Sequence, residues 1–440
     1  MSEESRVGRV IVTYGRSIIS LMIAQSLGSR GIEIIGCDDV NMTVLSFSKF
    51  VTSHHVYTSP SDDEAAFIED LLQIVEDNRP DDGRPYVLIP AFNDAKIIAR
   101  HKQRFADKIT VACPDYEMID QVNPKDHFAK TAAELNVASP QTWMPVDEQE
   151  LQRQLEEIEF PVFIKPPDDV GGRGISRVEN ADQLMVAYRD LVERYPDEQI
   201  LIQGLAEGVD YCFCGLFDQG ELKAQMVYHN LQKFPVEAGP GVVRETVASE
   251  RFAEQVQRLM KPLKWNGVAE IDFMWDEKDD STPLMIEVNP RFWAGLDHSI
   301  KSDVDFPYLL YRLFVDGEVE TDSEAEVGKK TRLPGLSTLA RIEELVNNAF
   351  NFDDLEAQWP QIKQHWRERD IGKAAEQLRD ALQGSVTLDE AMRTFRVMLR
   401  QAKEAQSIAY HEDDPFIGLG VLFVLGSLIR HGKLPPEMTR

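Results

Sequence analysis

The chain has 440 residues, of which 43% are hydrophobic, and a formal net charge of -28. Its length and apolar content predict a globular protein of two or three domains, and its acidity disfavours a nucleic-acid partner because a phosphate backbone would be repelled. The four cysteines are too few and too scattered for a structural zinc site, and the first residues contain no apolar targeting segment, so we expect free, reduced thiols in a cytoplasmic protein.

The first 115 residues alternate between strand and helix patterns. Short apolar strands are predicted at 9–13, 32–37, 86–90 and 110–113, and helices at 17–29, 64–77 and 94–104. This alternation predicts a parallel sheet covered by helices. The turn from Tyr14 to Ser17 has one glycine where a dinucleotide site needs three, which disfavours NAD binding.

Polar residues follow two of these strands, where open parallel sheets place ligand contacts. Asp38 and Asp39 follow the second strand, and Asn93 and Asp94 follow the third. An N-cap of the next helix accounts for Asn93 and Asp94 equally well. Both interpretations are open for Asn93 and Asp94, and capping or solvation is favoured for Asp38 and Asp39.

A strand at 160–167 carries a lysine near its end and is followed by a glycine loop. The loop consists of Gly171, Gly172, Arg173 and Gly174. Without β-carbons, such a loop can close its backbone amides on phosphate oxygens, while Lys165 supplies a point charge and Arg173 a donor fork. A tight turn would give the same glycine pattern, so the loop gains weight only from the lysine before it and the acidic strands after it.

Two acidic strands follow, at 267–275 and 283–289, joined by a polar hairpin connection. If they pair, Asp272 approaches Glu287, and two carboxylates this close are reasonable when a divalent cation lies between them. Asn289 would add an amide oxygen two positions along the same face, a ligand type that suits Mg²⁺. A solvated acidic face is the alternative.

Alternation of side chains along these strands also predicts which residues enter the core. Met285 is expected on the face of Glu287 and Asn289, opposite the core. The residues expected in the core are Ala269, Ile271, Phe273, Trp275, Leu284, Ile286 and Val288.

Helical patterns dominate the chain beyond an acidic boundary segment at 321–330. Helices are predicted at 350–366, 370–382 and 388–402, followed by an apolar helix at 416–429. That apolar run is shorter than the roughly 18 residues that a membrane span needs. A buried helix is favoured, and a peripheral membrane contact or a homo-oligomer interface is the alternative.

Five segments together resemble an ATP-grasp enzyme of the carbamoyl-phosphate-synthase-like or D-aspartate-ligase-like type. They are Asn123-Pro124-Lys125-Asp126, Ile164-Lys165, the glycine loop, Ile200-Leu201-Ile202-Gln203, and the segment from Ile286 to Gly295. The resemblance covers about residues 8–315. It implies an α/β and α+β fold with a preATP-grasp parallel-sheet domain at 1–115, a two-lobed ATP-grasp domain at 116–320 and a helical C-terminal region at 330–440.

The resemblance also implies roles for individual residues. The residues implied to bind ATP are Lys125, Lys165, Gly171, Gly172, Arg173, Gly174, Gln203, Leu205 and Asp210. The residues implied to hold Mg²⁺, with Mn²⁺ as an alternative, are Asp272, Glu287 and Asn289. The residues implied to act in catalysis are Arg291, Lys165 and Arg244, with Arg291 meeting the transferred phosphate or the substrate carboxylate.

Two parts of the chain weaken individual assignments. Many relatives have an acidic residue after the hinge glutamine, whereas this chain has Gly204, so adenine recognition would rest on backbone groups. Lys233, Arg244 and the loop at 239–241 are assigned to the substrate only by their position between hinge and metal strands, and a loop that merely turns is the alternative.

The activity implied by the resemblance is ligation of a carboxylate to an amine or a thiol, through an acyl phosphate made from ATP. The expected partners are a small carboxylic acid, such as an amino acid, and a nucleophile. Two alternatives are a non-catalytic ATP sensor and an enzyme that activates bicarbonate as carboxyphosphate. The set of metal ligands, lysines and glycine loop favours an enzyme over a sensor.

Overall fold

The computed structural model describes residues 7–41, 43–166, 175–196, 198–233, 241–277, 281–319 and 325–333, together with residues 361, 364, 365, 372, 373, 377, 406 and 407. Contacts divide the chain into two compact units. The first comprises 1–229, 245–329 and 409–440, and the second comprises 230–244 and 330–408. The helices predicted between 350 and 402 lie almost wholly outside the described residues, and the apolar helix at 416–429 lies entirely outside them.

The first unit begins with a parallel sheet whose strands alternate with helices, as the sequence predicts. Its elements are β1 (Arg9–Val12), α1 (Ile18–Gly28), β2 (Glu33–Asp38), β3 (Val51–Val56), α2 (Glu64–Asp77), β4 (Tyr86–Ile89), α3 (Asp94–Arg100) and β5 (Thr110–Val111). The strand order is β3-β2-β1-β4-β5, and all pairs are parallel. β1, β2 and β4 are buried along almost their whole length, because helices cover both faces of such a sheet.

β3 is the strand of this sheet that the sequence analysis missed. Its sequence, Val-Thr-Ser-His-His-Val, has neither an apolar run nor an apolar alternation, and all six residues are at least partly accessible. It lies at the sheet edge beside β2. An edge strand contributes few side chains to the core, so hydrophobic patterning carries little information about it.

A smaller antiparallel sheet follows in the first unit. The elements of this part are α4 (Tyr116–Asp120), α5 (Lys125–Glu134), β6 (Thr142–Trp143), α6 (Glu148–Gln154), β7 (Val162–Lys165), β8 (Ser176–Val178), α7 (Ala181–Arg194) and β9 (Leu201–Gly204). The strand order is β6-β9-β7-β8. Leu184 and Leu191 of α7 pack on Val162, Ile164 and Ile202 to form a core of their own.

The third sheet carries the acidic strands. The remaining elements are β10 (Val209–Asp218), β11 (Glu221–Lys233), β12 (Gly241–Val247), α8 (Glu250–Leu263), β13 (Gly267–Trp275), β14 (Leu284–Asn289), α9 (Leu296–Lys301), α10 (Phe306–Asp316), β15 (Lys330–Arg332) and β16 (Gln406–Ser407). In the first unit β14, β13, β10 and β11 pair in that order. In the second unit β15 and β16 pair in parallel.

A β-bulge corrects one prediction about the acidic strands. Asp272 pairs with Glu287 but its neighbour Phe273 pairs with Met285, so Ile286 is an extra residue on β14. The extra residue reverses the side-chain alternation. Met285 therefore lies in the core beside Phe273, fully buried, and not on the face of Glu287 and Asn289 where simple alternation placed it.

The bulge also makes the prediction wrong for Leu284 and Ile286, which are only partly buried and lie outside the core. The remaining core predictions for this sheet and the prediction for the cysteines hold. Ala269, Ile271, Phe273, Trp275 and Val288 belong to the core. All four cysteines are buried and free of disulfides. No helix in the part of the chain that the structure describes is long and apolar enough to cross a membrane.

Candidate active site

Asp272, Glu287 and Asn289 converge on one face of the third sheet. Asp272 and Glu287 are directly opposed in the β13–β14 ladder. The side-chain amide nitrogen of Asn289 donates to Asp272 Oδ2 at 3.2 Å and, at a longer 3.4 Å, to Glu287 Oε1. An N–H group thus satisfies two carboxylates, as a cation would. The donor set fits a hard divalent cation if the Asn289 amide turns its oxygen toward the carboxylates.

Lys125 and Lys165 bring two ammonium groups to the same region from different elements. Lys125 is the first residue of α5, and its Nζ lies 3.5 Å from Glu287 Oε2. Lys165 ends β7 and is 5% exposed. Burial and, to a smaller extent, the charge of Lys125 together lower the pKa of Lys165 to about 8, although Glu287 opposes both effects. The two lysines are therefore close enough to repel each other.

Gln203 holds Lys165 in place. The Lys165 ammonium donates to Gln203 Oε1 at 2.7 Å, and the Gln203 amide nitrogen donates to Thr142 Oγ1 at 3.1 Å. Both ends of the Gln203 side chain thus bond within the protein in this ligand-free form. Leu205 is 36% exposed just after β9, and Asp210 shares a β10 face with Cys212. Their roles toward a nucleotide stay predictions.

Arg291 lies just beyond β14 and is 7% exposed. Its Nη2 donates to Asn289 Oδ1 at 3.2 Å, its Nη1 donates to the Phe292 carbonyl at 2.9 Å, and its Nε donates to Asn93 Oδ1 at 3.1 Å. The guanidinium carbon also lies 4.4 Å from the centroid of the Phe92 ring. Arg291 therefore connects the metal-ligand strand to the end of β4.

Asn93 and Asp38 show how the polar strand ends of the first sheet are used. Asn93 occupies the N-cap position of α3 but makes no side-chain capping bond, and its oxygen accepts from Arg291 instead. Asp38 accepts hydrogen bonds from the backbone nitrogen and the guanidinium of Arg16. Asp39 also pairs with Arg16. The Asp38 carboxylate thus fixes the β1–α1 turn, which agrees with a structural role.

Glu270 is a site residue that sequence reasoning left unassigned. It is 1% exposed, it follows the alternation of Asp272 on β13, and its Oε2 lies 3.7 Å from Arg291 Nη1. Tyr228 Oη lies 3.4 Å from Glu270 Oε1. The signal in the sequence was the Glu-Ile-Asp pattern, which places both acids on one face, but only the fold shows that the first acid meets an arginine.

Cys212 of β10 joins the same face. Its sulfur and the carboxylates of Glu270 and Asp272 lie within 4.8 Å of one another. Glu270 already pairs with Arg291, and a cation held by Glu270 would lie next to that guanidinium. The contact with Arg291 therefore accounts for Glu270, and the metal-binding role of Asp272 stays a prediction.

The remaining predicted residues lie either outside the described residues or in the second compact unit. Gly171, Gly172, Arg173 and Gly174 lie outside the described residues, as do residues 239 and 240. Arg244 of β12 is 2% exposed, and Lys233 is the last residue of β11. Both belong to the second compact unit, and their substrate roles stay predictions.

Comparisons with known proteins were made by sequence and by structure. A family model described as an ATP-grasp domain matches residues 124–295. The C-terminal section of the carbamoyl phosphate synthase large chain from Methanopyrus kandleri is 24% identical over 248 residues, which cover 54% of this chain and 44% of that protein. The match thus spans less than half the length of that curated relative.

Three solved structures have the same fold at low identity. Biotin carboxylase from Campylobacter jejuni, solved as a β-γ-ATP complex, has a TM-score of 0.59 at 15% identity, covering 73% of this chain and 74% of that one. N5-carboxyaminoimidazole synthetase from Staphylococcus aureus, solved with ADP, gives 0.56 at 14%, covering 73% and 80%. L-amino acid ligase from Bacillus licheniformis gives 0.55 at 15%, covering 72% and 77%. These structures share the fold of this chain, and the family model described as an ATP-grasp domain matches its residues 124–295.

Proposed function

We propose that this protein is an ATP-dependent ligase that activates a small carboxylic acid as an acyl phosphate and transfers it to an amine or thiol nucleophile. The observation that carries the proposal is that Asp272, Glu287 and Asn289 converge in the β13–β14 ladder and that Lys125 lies beside Glu287. Lys165, with its pKa lowered by burial and by Lys125, extends the same group. An ATP-grasp domain supplies the context, and the site chemistry supplies the reaction class.

ATP with Mg²⁺ is the cofactor that these residues fit. Asp272, Glu287 and Asn289 would hold the cation, which supplies charge neutralisation of the phosphates during transfer. Lys125 and Lys165 would bind phosphate oxygens, because two ammonium groups held close together become more stable when an anion lies between them. Arg291 is fixed next to the metal ligands and would orient the group that receives the phosphate.

The protein's own side chains also limit where the nucleophile can approach. Arg291 connects β14 to Phe92 and Asn93 at the carboxyl end of β4. That edge of an open parallel sheet is where such folds place ligand contacts. We therefore place the second substrate beside Arg291, on the side of the first sheet. The mass spectrometry described next identifies this second substrate.

The test is Mg²⁺-dependent ADP release from the full chain with pools of amino acids and small carboxylic acids, followed by mass spectrometry of each stimulating pool. A ligase gives stimulated ADP release and a new mass equal to two pool members less water. Stimulation by bicarbonate alone would replace the proposal with carboxyphosphate formation. Tight ATP binding without stimulation in any pool, including lipid-linked and carrier-bound acids, would favour an ATP sensor and refute the ligase.

A further inference from the structure

Glu270 has no role in the function proposed above, yet it is among the most buried charged groups at the site. Burying a carboxylate is unfavourable unless an opposite charge or strong hydrogen bonds compensate. At 1% exposure, Glu270 has the opposite charge of Arg291 Nη1 at 3.7 Å and accepts a long hydrogen bond from Tyr228 Oη at 3.4 Å. Its position therefore depends on Arg291 and Tyr228, and theirs depends on it.

Tyr228 is itself held firmly on β11. Its ring lies edge-on to the buried His298 ring at 5.5 Å. A β-carbon at Gly295 would lie 2.5 Å from the Tyr228 hydroxyl oxygen, so only glycine allows the tyrosine to lie where it does. The hydroxyl is thereby directed at Glu270 and not toward solvent.

We propose that Glu270 is a positioning residue, which holds the Arg291 guanidinium against Phe92 and Asn93 while the Asn289 side chain serves a metal ion. This inference rests on the proposed function. Asn289 Oδ1 accepts from Arg291 Nη2, and the amide nitrogen of Asn289 faces the two carboxylates. Turning the amide oxygen to a cation gives up the contact with Nη2. The guanidinium then depends on Glu270, on Asn93 and Phe92, and on the Phe292 carbonyl for its place.

The kinetic test compares Glu270→Gln with Tyr228→Phe. The glutamine keeps the volume of the side chain and removes its charge, and we expect kcat to fall by about 100-fold, the loss that a misplaced reacting group produces. The KM for ATP should stay within about threefold, because the proposed function assigns ATP binding to Lys125 and Lys165 and the inference assigns Glu270 to Arg291. Tyr228→Phe removes one neutral hydrogen bond and should lower kcat by no more than about 10-fold.

Double variants separate positioning from a general structural role. If Glu270 acts only through Arg291, Glu270→Gln combined with Arg291→Lys should be no slower than Arg291→Lys alone. Additive losses would show that Glu270 acts by another route. Unchanged turnover in a folded Glu270→Gln protein would overturn the proposal.

A structural readout keeps this inference distinct from the proposed function. In crystals of Glu270→Gln with Mg²⁺ and a non-hydrolysable ATP analogue, in which Asn289 turns its oxygen to the cation, we expect the Arg291 guanidinium to leave the Phe92 ring or lose Asn93. In wild-type crystals with the same ligands it should keep both contacts. A guanidinium in the same place in both proteins would overturn the positioning role. If the wild type shows no carboxylate-stimulated ADP release, the proposed function fails, and the crystal comparison still decides whether Glu270 holds Arg291.

Discussion

ATP binding should weaken as the pH rises, because Lys165 loses its proton within an accessible range. Burial lowers its pKa to about 8, and the charge of Lys125 contributes. A lysine in water has a pKa of about 10.4. We expect phosphate oxygens to keep the ammonium protonated in the complex, so that only the ligand-free protein titrates. The dissociation constant for Mg·ATP should then rise by about 25-fold between pH ~7.5 and pH ~9.5.

Isothermal titration calorimetry with a non-hydrolysable ATP analogue and Mg²⁺ would measure this change. At pH ~9 the binding should take up close to one proton, which appears as a dependence of the heat on the ionisation enthalpy of the buffer. Lys165→Met is the control and should bind weakly at every pH without proton uptake. Lys125→Met removes the repelling neighbour, so the pKa of Lys165 should rise and the transition should move to higher pH.

Glu287→Gln should have the opposite effect on the transition, because Glu287 raises the pKa of Lys165. An affinity that stays constant across this range in the wild type, or that falls equally in Lys165→Met, would refute the reasoning.

The lowered pKa of Lys165 also determines how the stability of the protein depends on pH. The folded pKa is lower than the unfolded one, so the unfolded chain binds more protons between about pH 8 and 10, and Lys165 makes the ligand-free protein more stable as the pH rises through that window.

Three further predictions test the site and the sheet that carries it. Glu287→Ala should lower turnover by more than about 100-fold, beyond the loss from an outer-shell partner, and circular dichroism should show an unchanged fold. Met285→Ala should lower the free energy of unfolding in urea by about 2–5 kcal/mol. Leu284→Ala should lower it much less, because Leu284 is only half-buried, and equal losses would contradict the bulge. Gly208→Ala should destabilise the protein by more than about 1 kcal/mol, because the added β-carbon would lie 2.3 Å from the Trp275 carbonyl carbon and the residue has a φ of +114°. Gly83→Ala is the control, with a φ of +72° and no atom within 4 Å of the added β-carbon, and it should destabilise the protein less in the same urea melts.

The sequence allowed the parallel sheet and the acidic hairpin to be predicted because both depend on local periodicity. β13 has the bounds predicted for it, and Asp272 faces Glu287 as expected. Met285 was predicted on the wrong face because a one-residue bulge leaves no periodic signature. Relative to Glu287 and Asn289, it reverses the side chains that precede it, Leu284 and Met285.

The contacts of Arg291 could not be predicted for a different reason. Asn93 is 198 positions away in the chain, and its N-cap position gave it a local explanation. In the sequence Glu270 likewise appears only as the first of two acids on one strand face, and only the packing of β11 and β13 shows that it is buried. Long-range pairs of this kind carry no spacing signal within one sequence.

The charges at the site favour binding of ATP together with its cation. Lys125 lies near Glu287 and Arg291 lies near Glu270, so positive groups are already matched to negative ones. A polyphosphate arriving alone would have to draw Lys125 from Glu287 and then face exposed carboxylates at close range. A divalent cation on Asp272 and Glu287 removes that repulsion and leaves Lys125 available to a phosphate. Because coupling between two ligands is reciprocal, ATP must raise the affinity of the cation by the same factor as the cation raises the affinity of ATP.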